Sequence, residues 1–328
     1  MQALANLGGR LLSALVLIGC VIVFNFLLIN IAPGDPATVI AGEMGGASEQ
    51  VLAEIRAAYG LDQPMLVRLG TYVMRIATGD LGYSYYYNDP VADLILSRLG
   101  PTLLLLITGL GIAIVLGVWL GVLSALRPDS PFSHLVTVFS LIGYSAPVFW
   151  TGLLLIILFG SAWPIFPIGG IRDVTQSGGP LFHVFDVAHH LVLPALTLGA
   201  VYTAQYARLC RASMLEVLKS DYVRTARAKG LRTSVIVGKH ALRNAILPVV
   251  TIIGLQIGQM LSGAVLVETV FNWPGLGTLA FESVLRRDYP TLLGILVCST
   301  VLVVIVNMLT ELAYRLIDPR IRAAGGAG

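Results

Sequence analysis

Charged residues and cysteines are both scarce in this chain. Asp, Glu, Lys and Arg make up 12% of its 328 residues, hydrophobic residues make up 56%, and the mean hydropathy is +0.83. Soluble domains contain about 25% charged residues, so this composition argues against a water-exposed fold and predicts a membrane protein. The three cysteines, Cys20, Cys210 and Cys298, form neither a CxxC pair nor a metal-ligand spacing. We expect free thiols that serve as packing residues.

Sequence motifs for covalent chemistry are missing as well. Gly238-Lys239 is followed by His240 instead of the Ser or Thr of a phosphate loop, and Gly275-Leu276-Gly277 lies between two apolar windows, where no nucleotide-binding βαβ unit fits. No Ser/His/Asp or paired-carboxylate arrangement occurs, and the apolar windows lack the buried acids that a hydrolase or a proton pump needs. We therefore expect that this chain is not an enzyme and holds no cofactor of its own.

Six apolar windows are long enough to cross a bilayer, which takes about 20 residues of helix. They lie between Arg10 and Asp35, between Arg98 and Arg127, from His134 to Trp163, from Ala188 to Arg208, from Asn244 to Val267 and from Tyr289 to Thr310. The chain is therefore predicted to be an all-α polytopic membrane protein with six transmembrane helices. Pro101 is expected in the first turn of the second helix, and Pro194 is expected to kink the fourth helix. The first helix is expected to remain in the protein as an uncleaved anchor.

The distribution of Lys and Arg predicts the orientation. With both termini in the cytoplasm, 14 of the 21 basic residues fall in cytoplasmic segments, as the positive-inside rule requires. Residues 1–31 then form the N-terminus and the first helix, and residues 32–98 form a small external, periplasmic segment. Residues 99–328 form a core of five transmembrane helices.

The external segment is too long for a simple turn. It contains turn-forming sequences, namely PGDP at 33–36, GLDQP at 60–64 and GDLG at 79–82. A helix is predicted over Ser48–Tyr59 because its apolar residues recur on one stripe. The segment either packs on the transmembrane helices or docks an external partner, and both readings stay open.

Residues 208–247, here called the basic segment, connect the fourth and fifth windows. Nine basic residues accompany only two acidic ones in this segment. Helical spacing predicts a short helix over Tyr222–Lys229, a left-handed stop at Gly230 and a second short helix capped by Thr233, before Pro248 marks the entry to the fifth span. Two short helices at an angle would form a rigid knob that a soluble partner could grip. Binding to anionic lipid headgroups is the alternative, and nine positive charges would suffice for it.

Polar residues inside the windows are candidates for a translocation pathway, because they cost free energy in lipid and usually face protein or water. Gln256 and Gln259 are three apart in the fifth window and are expected on one face, and Tyr202, Gln205 and Asn307 are further candidates. The alternative is interhelical hydrogen bonding, which contributes about 0.6 kcal/mol on average.

Three histidines, His183, His189 and His190, cluster near the external end of the fourth window. A metal site is one interpretation of this cluster. Few carboxylates lie nearby, so interfacial imidazoles are the expected outcome and no metal site is predicted.

The chain resembles the permease subunits of the dipeptide/oligopeptide/nickel branch of binding-protein-dependent ABC importers. The resemblance rests on DYVRTARAKGL at 221–231 and HALRNAILP at 240–248, together with PGDP, GLDQP, GDLGYS at 79–84, SAPVFW at 145–150, HLVLPALTLG at 190–199 and FNWPGLG at 271–277. Arg224 and Thr225 replace the Glu and Ala of the generic cytoplasmic motif, and this variant is typical of the branch. The resemblance covers nearly the whole chain.

The resemblance implies a coupling helix between the fourth and fifth spans, seated in a groove of an ATP-binding subunit. The residues implied in that contact are Tyr222, Arg224, Thr225, Ala226, Arg227, Ala228, Gly230 and Pro248. The implied partners are a second, homologous permease subunit, two ATP-binding subunits that carry ATP and Mg, and a soluble solute-binding protein. The implied location is the bacterial inner membrane, in contact with lipid, and no nucleic-acid partner is expected.

The function implied by the resemblance is import of short peptides, di- or oligopeptides, driven by ATP hydrolysis on the partner subunits. Nickel, glutathione or another small solute is the alternative cargo. A secondary transporter would show inverted repeats and intramembrane acids, and neither is evident in the sequence. A membrane enzyme would need a catalytic constellation, and a structural scaffold would not need the knob between Arg224 and Pro248.

Overall fold

The computed structural model describes residues 2–31, 48–58, 62–173, 175 and 178–317, which are predominantly helical. The PGDP sequence at 33–36 lies outside the described residues. The chain divides into two compact units. One is built from the described residues of Met1–Gly100 and Leu279–Ile305, and the other from those of Pro101–Thr278 and Val306–Gly328.

The helices and strands follow one another in a simple order. They are α1 (Gln2–Ile31), α2 (Glu49–Ala58), α3 (Met65–Ala77), β1 (Tyr83–Ser84), β2 (Asp89–Pro90), α4 (Val91–Leu126), α5 (Pro131–Ser145), α6 (Val148–Leu155), α7 (Pro180–Val217), α8 (Asp221–Ala228), α9 (Thr233–Val235), α10 (Leu242–Ala245), α11 (Leu247–Val270), α12 (Leu276–Arg286) and α13 (Tyr289–Ile317). π-helical turns extend α6 over Ile156–Ala162 and join α9 to α10 over Ile236–Ala241. The helix predicted over Ser48–Tyr59 is present as α2.

The first unit joins α1 to α3 and to the beginning of α13. The Asn25 side-chain amide of α1 donates a hydrogen bond to the Leu293 carbonyl of α13 at 3.3 Å, and the rings of Phe26 and Tyr72 lie 5.9 Å apart. Strands β1 and β2 pair antiparallel, with Tyr83 opposite Pro90. A buried asparagine that bonds a helix carbonyl is a polar helix-to-helix contact of the kind found between membrane helices.

Among the described residues, three helices are individually long and apolar enough to cross a membrane: α4, α7 and the Tyr289–Thr310 part of α13. Two more spans arise if each bent helix pair counts as one, namely α5 with α6, bent by 111°, and Thr233–Ala245 with Leu247–Gln256, bent by 42°. The first predicted span appears as a shorter apolar stretch, Leu12–Leu28 of α1. The described residues thus confirm a multi-pass helical protein with three to five candidate spans, and six spans remain a prediction.

Close packing of α4 on α7 forms the core of the second unit. A Cβ atom at Gly117 would lie 2.7 Å from Tyr206 Cβ, and one at Gly121 would lie 2.7 Å from Cys210 Cβ and 2.8 Å from the Ala207 carbonyl. Only glycine allows this approach, which is how small residues four apart bring membrane helices together. Tyr206 and Cys210 are fully buried at this interface.

Two local predictions were wrong. Pro101 lies in the interior of α4, because the helix begins at Val91, where Asp93 in the first turn complements the helix dipole. Val91 and Ile95 are fully buried, so packing favours helix upstream of the proline.

Thr233 is the first residue of α9 and not its cap. Arg232 occupies the cap position with extended backbone.

Candidate functional site

The basic segment has a small apolar core of its own. Val223 and Ala226 on one face of α8 are buried against Ile236 of the π-helical turn, with Val217 and Leu218 of the preceding chain around them. The helix predicted over Tyr222–Lys229 is present as α8. Because α8 packs on the π-helical turn, the segment is a folded knob and not an extended loop.

Gly230 ends α8 with a left-handed residue. Its φ is +73°, its N–H donates to the Arg227 carbonyl at 2.9 Å, and the Leu231 N–H donates to the Ala226 carbonyl at 3.3 Å. These two bonds define a Schellman motif, in which a residue with positive φ satisfies the last helical carbonyls. The left-handed stop predicted at Gly230 is therefore confirmed.

Most of the residues implied in a coupling contact lie on the surface of the knob. All of them except Ala226 are exposed: Tyr222, Arg224, Thr225, Arg227, Ala228, Gly230 and Pro248. The Tyr222 hydroxyl accepts a hydrogen bond from the Asn244 side chain at 2.8 Å, which ties α8 to α10. Ala226 is buried, so it can support a contact only through packing inside the knob.

The charge of this surface is strongly positive and largely solvated. Arg224 donates to Asp221 at 3.2 Å, but the two side chains are 74% and 95% exposed, and an ion pair this exposed contributes little to stability. Tyr222, Leu231 and Val235 add exposed apolar area next to the charges. A rigid surface that mixes basic and apolar groups suits a protein partner.

The pathway candidates of the fifth window lie in different environments. Gln256 is buried, and its Oε1 atom has no hydrogen-bond partner among the described residues, whereas Gln259 is exposed. The two side chains are about 60° apart around the axis of α11, so Gln256 lies on the buried side and Gln259 on the exposed side of the boundary between the two. Tyr202 is buried in α7, and Asn307 is exposed on α13.

Gln205 lies on α7 and is half-buried. Tyr202, three residues earlier, places its ring 6.4 Å from that of Tyr206. The Thr203 hydroxyl between them is buried and has no hydrogen-bond partner among the described residues. Helix α7 thus carries several polar side chains within the fourth predicted transmembrane window.

A stripe of α11 combines exposure with polarity. Its exposed residues recur at helical spacing: Thr251, Leu255, Gln259, Ser262 and Leu266. Helix α4 differs, because every exposed side chain between Leu104 and Leu126 is apolar. Lipid chains accept the α4 face. On α11 the hydroxyls of Thr251 and Ser262 donate to the Leu247 and Gly258 carbonyls one turn earlier, so the Gln259 amide is the group that is most unfavourable in hydrocarbon. We call these five residues of α11 the polar stripe.

A buried acid lies just beyond the fifth window and was missed in the sequence. Glu268 in the last turn of α11 is fully buried. Its Oε1 accepts a hydrogen bond from the Thr102 hydroxyl at 2.6 Å, and its Oε2 accepts from the N–H groups of Gly277 at 2.6 Å and Thr278 at 3.2 Å. The Thr102 oxygen in turn accepts from the Leu276 N–H at 2.8 Å. Glu268 lies one residue beyond the window for which no buried acid was expected.

The FNWPGLG sequence at 271–277 builds the cavity for this carboxylate. The Trp273 N–H donates to the Glu268 carbonyl at 2.8 Å, and its indole Nε1 donates to the Pro101 carbonyl at 2.9 Å. A Cβ atom at Gly275 would overlap the Glu268 carboxylate, so this position requires glycine. The two glycines separated by one residue, near an acid at the end of an apolar run, were the signal that could have identified the site.

The histidines of the fourth window contact protein groups. The His190 Nδ1 lies 3.0 Å from Asp186 Oδ1, one turn earlier in α7, and His189 Nε2 lies 2.9 Å from the Ile165 carbonyl. The Asp186 Oδ2 atom accepts the Asp173 N–H at 2.8 Å. These contacts anchor the chain between α6 and α7 onto α7.

The tyrosine-rich sequence around β1 and β2 is tied to acidic groups within the first unit. The Ser84 hydroxyl donates to Asp288 at 2.6 Å, and the Tyr87 hydroxyl donates to Glu282 at 2.7 Å. Burial, and then the hydrogen bond to Glu282, raise the pKa of Tyr87 above its ordinary value. Arg286 lies 4.6 Å from the ring centre of Tyr86. This part of the chain is therefore held in place by contacts with residues 282–288 of the same unit.

Comparison with known proteins matches the chain to two models of one family. Residues 113–323 match the model of the binding-protein-dependent transport system inner membrane component. Residues 4–106 match the model of the N-terminal part of binding-protein-dependent transport system membrane components.

Several curated relatives align along almost the full length. The dipeptide transport system permease protein DppB of Alkalihalophilus pseudofirmus is 42% identical over 94% of this chain and 96% of its own. DppB of Escherichia coli K12 is 40% identical over 91% of this chain and 93% of its own. The oligopeptide transport system permease protein AppB of Bacillus subtilis 168 is 40% identical over 95% of this chain and 96% of its own.

Proposed function

The chain belongs to the family of binding-protein-dependent transport system inner membrane components, and we propose that it is the permease subunit of an ATP-driven importer of short peptides. The names of the relatives, which transport dipeptides and oligopeptides, support this cargo. Nickel, glutathione or another small solute, carried by the same mechanism, is the second candidate.

The observation that carries the proposal is the capped and separately packed α8 with its exposed basic face. A permease that hydrolyses no ATP needs a rigid element to receive force from an ATPase subunit. Helix α8 is such an element, because Gly230 closes its end and the Tyr222–Asn244 bond ties it to α10, next to α11. In this proposal both termini and the basic segment are cytoplasmic, six helices span the inner membrane, and α8 is the coupling helix.

The partners follow from the same proposal. Two ATP-binding subunits carry ATP and Mg, one of them against α8, and a second homologous permease completes the pathway. A soluble binding protein delivers the cargo. Closure of the ATPase subunits on ATP favours one of two states of the permease pair, and hydrolysis resets them.

The polar stripe of α11 is the proposed lining of the pathway. Gln259 offers an amide donor and acceptor to a peptide backbone, and the hydroxyl oxygens of Thr251 and Ser262, which donate within α11, can still accept. Leu255 and Leu266 add apolar area between them. Gln256 keeps a buried acceptor without a partner among the described residues, so it is a second candidate contact. Three further residues are proposed to line the pathway, namely Tyr202, Gln205 and Asn307.

The test is co-purification of the chain with the ATPase subunits encoded with it. Ala228 is exposed on α8 and is not part of the buried core of the knob. A bulky side chain there leaves the Val223–Ile236 core intact but blocks a close contact, so Ala228→Trp should reduce ATPase recovery and ATP-driven dipeptide uptake together. Substitutions at the centre of an interface commonly change affinity by a factor of about ten or more, and we expect an effect of that size.

Ala53→Trp is the matched control, because Ala53 is an exposed alanine on α2, in the segment proposed to be periplasmic. This variant should co-purify normally. Equal recovery of ATPase subunits by both tryptophan variants, or failure of the unsubstituted chain to bind them, would contradict the assignment of α8.

A further inference from the structure

The geometry around Glu268 points to a second mechanical joint, at the end of α11 opposite the basic segment. We propose that Glu268 is a positioning residue that fixes the first turn of α12 to the end of α11, so that displacement of α11 is passed to α12. This inference rests on the proposed function, because it assumes that ATPase subunits move α11.

The first turn of α12 obtains its hydrogen bonds from outside α12. The first N–H groups of a helix have no partner within the helix and are usually satisfied by a side chain just before it. Here the Leu276 N–H donates to Thr102 of α4, and the N–H groups of Gly277 and Thr278 donate to Glu268 of α11. The start of α12 is therefore attached to two other helices.

Charge and burial make this attachment strong. A carboxylate at a helix N-terminus is stabilised by the partial positive charge of the free N–H groups. Hydrogen bonds to an ionised group are shorter and about twice as strong as neutral ones, and the Gly277 bond to Glu268 is 2.6 Å long. Glu268 is fully buried and Thr102 is nearly so, which excludes competing water. Removal of the carboxylate would leave buried N–H groups without an acceptor, which is costly.

The chain between the two helices is folded to fit the carboxylate. Trp273 is fully buried and bonds both the Glu268 carbonyl and the Pro101 carbonyl. The Thr278 hydroxyl donates to the Trp273 carbonyl at 2.7 Å, and Gly275 leaves room for the carboxylate. The turn thus has little freedom to bend while the carboxylate is in place.

Helix α11 connects the two joints directly. It begins at Leu247, immediately after α10 of the basic segment, and Glu268 lies in its last turn. The polar stripe lies between these ends. A movement received at α8 and α10 can therefore reach the pathway residues and the start of α12 through one continuous helix.

The first experiment measures hydrogen exchange of the Gly277 and Thr278 amides in the complex in lipid nanodiscs. Glu268→Ala should accelerate their exchange roughly 10- to 100-fold, the range expected for losing hydrogen bonds to a charged group. Thr102→Val, which keeps the side-chain volume, should accelerate exchange of the Leu276 amide. Glu268→Gln keeps one acceptor oxygen and should give an intermediate effect. Thr269→Val is the control, because the Thr269 hydroxyl donates to the Val265 carbonyl of its own helix. This variant should leave the exchange rates of the Leu276, Gly277 and Thr278 amides unchanged.

The second experiment tests transmission without knowledge of the cargo. A single reporter thiol is placed at exposed Phe281 of α12 (Phe281→Cys), in a chain with Cys20→Ser and Cys298→Ser, while buried Cys210 is kept. Trapping the ATPase subunits with ATP and vanadate should change the rate at which a membrane-impermeant maleimide labels this thiol. The change should be absent with Glu268→Ala and partly restored with Glu268→Gln, although vanadate trapping itself continues.

Unaltered exchange at Gly277 and Thr278 in Glu268→Ala would overturn the attachment. Faster exchange with an unchanged maleimide response would overturn the positioning role. Failure of the unsubstituted complex to trap vanadate would contradict the proposed function, and the exchange comparison on the chain alone would still decide whether Glu268 holds α12.

Discussion

Substitution of Gly230 tests whether a rigid α8 is needed for coupling. Its φ of +73° is left-handed, and an L-residue in that conformation costs about 1–2 kcal/mol. A Cβ atom at this position would meet nothing within 4 Å, so backbone strain is the whole cost of Gly230→Ala. A penalty of this size lowers the ratio of capped to uncapped knob by a factor of about 5–30.

The structure provides two controls. Gly238 in the same segment also has open space where a Cβ atom would lie but is not among the glycines with positive φ, so Gly238→Ala should be neutral or slightly stabilising. Gly230→Asn should be milder than Gly230→Ala, because asparagine tolerates the left-handed region better than other side chains. Gly230→Val should be the most damaging, since β-branched residues tolerate it least.

Two readouts distinguish the cap from a general folding defect. Trypsin cleavage at Lys229 and Arg232, which flank the cap, should accelerate in Gly230→Ala by about the same factor of 5–30. In proteoliposomes with the ATPase subunits, dipeptide uptake per ATP hydrolysed should fall while the chain remains inserted. Faster cleavage in Gly238→Ala than in Gly230→Ala, or a normal uptake ratio in Gly230→Val, would refute the reasoning.

Two further predictions concern the membrane helices. Gln259→Cys on the polar stripe should react with a membrane-impermeant thiol reagent in the assembled transporter. Ile107→Cys on the apolar face of α4 should not react, although both positions are exposed in the single chain. Equal labelling of the two cysteines would contradict a pathway on α11. Gly121→Ala should lower the free energy of unfolding by about 1–3 kcal/mol, because the new methyl group would overlap α7. Gly111→Ala on the same helix should not lower it, because a Cβ atom there meets nothing within 4 Å. Thermal unfolding in detergent measures both variants, and similar melting temperatures would contradict the packing argument.

Local signals in the sequence predicted the basic segment well. Helical spacing placed α8 within one residue at each end, and Gly230 was identified as the left-handed stop because glycine alone adopts that conformation without strain. Thr233 was wrongly assigned as a cap, because threonine is favourable both at a cap and in nearby turns and only the backbone of Arg232 decides between them.

Tertiary contacts account for what the sequence did not predict. The start of α4 at Val91 depends on burial of Val91 and Ile95, which no local pattern around Pro101 reveals. Gln256 and Gln259 looked equivalent, but packing buries one and leaves the other exposed. Glu268 was missed because it follows the apolar window by one residue and its partners lie 166 residues earlier, at Thr102, and on α12.

The contrast between the ends and the middle of α11 explains why these features belong together. Each end is fixed by polar groups: the Tyr222–Asn244 bond ties α8 to α10 before α11 begins, and the Glu268 carboxylate holds the first turn of α12. Between these ends, the polar stripe stays exposed, and its Gln259 amide is unfavourable in hydrocarbon. In the proposed mechanism a displacement received at α8 is carried along α11, and the surroundings of the polar stripe change with it. For this reason loss of either anchor should impair uptake even though neither anchor touches the stripe.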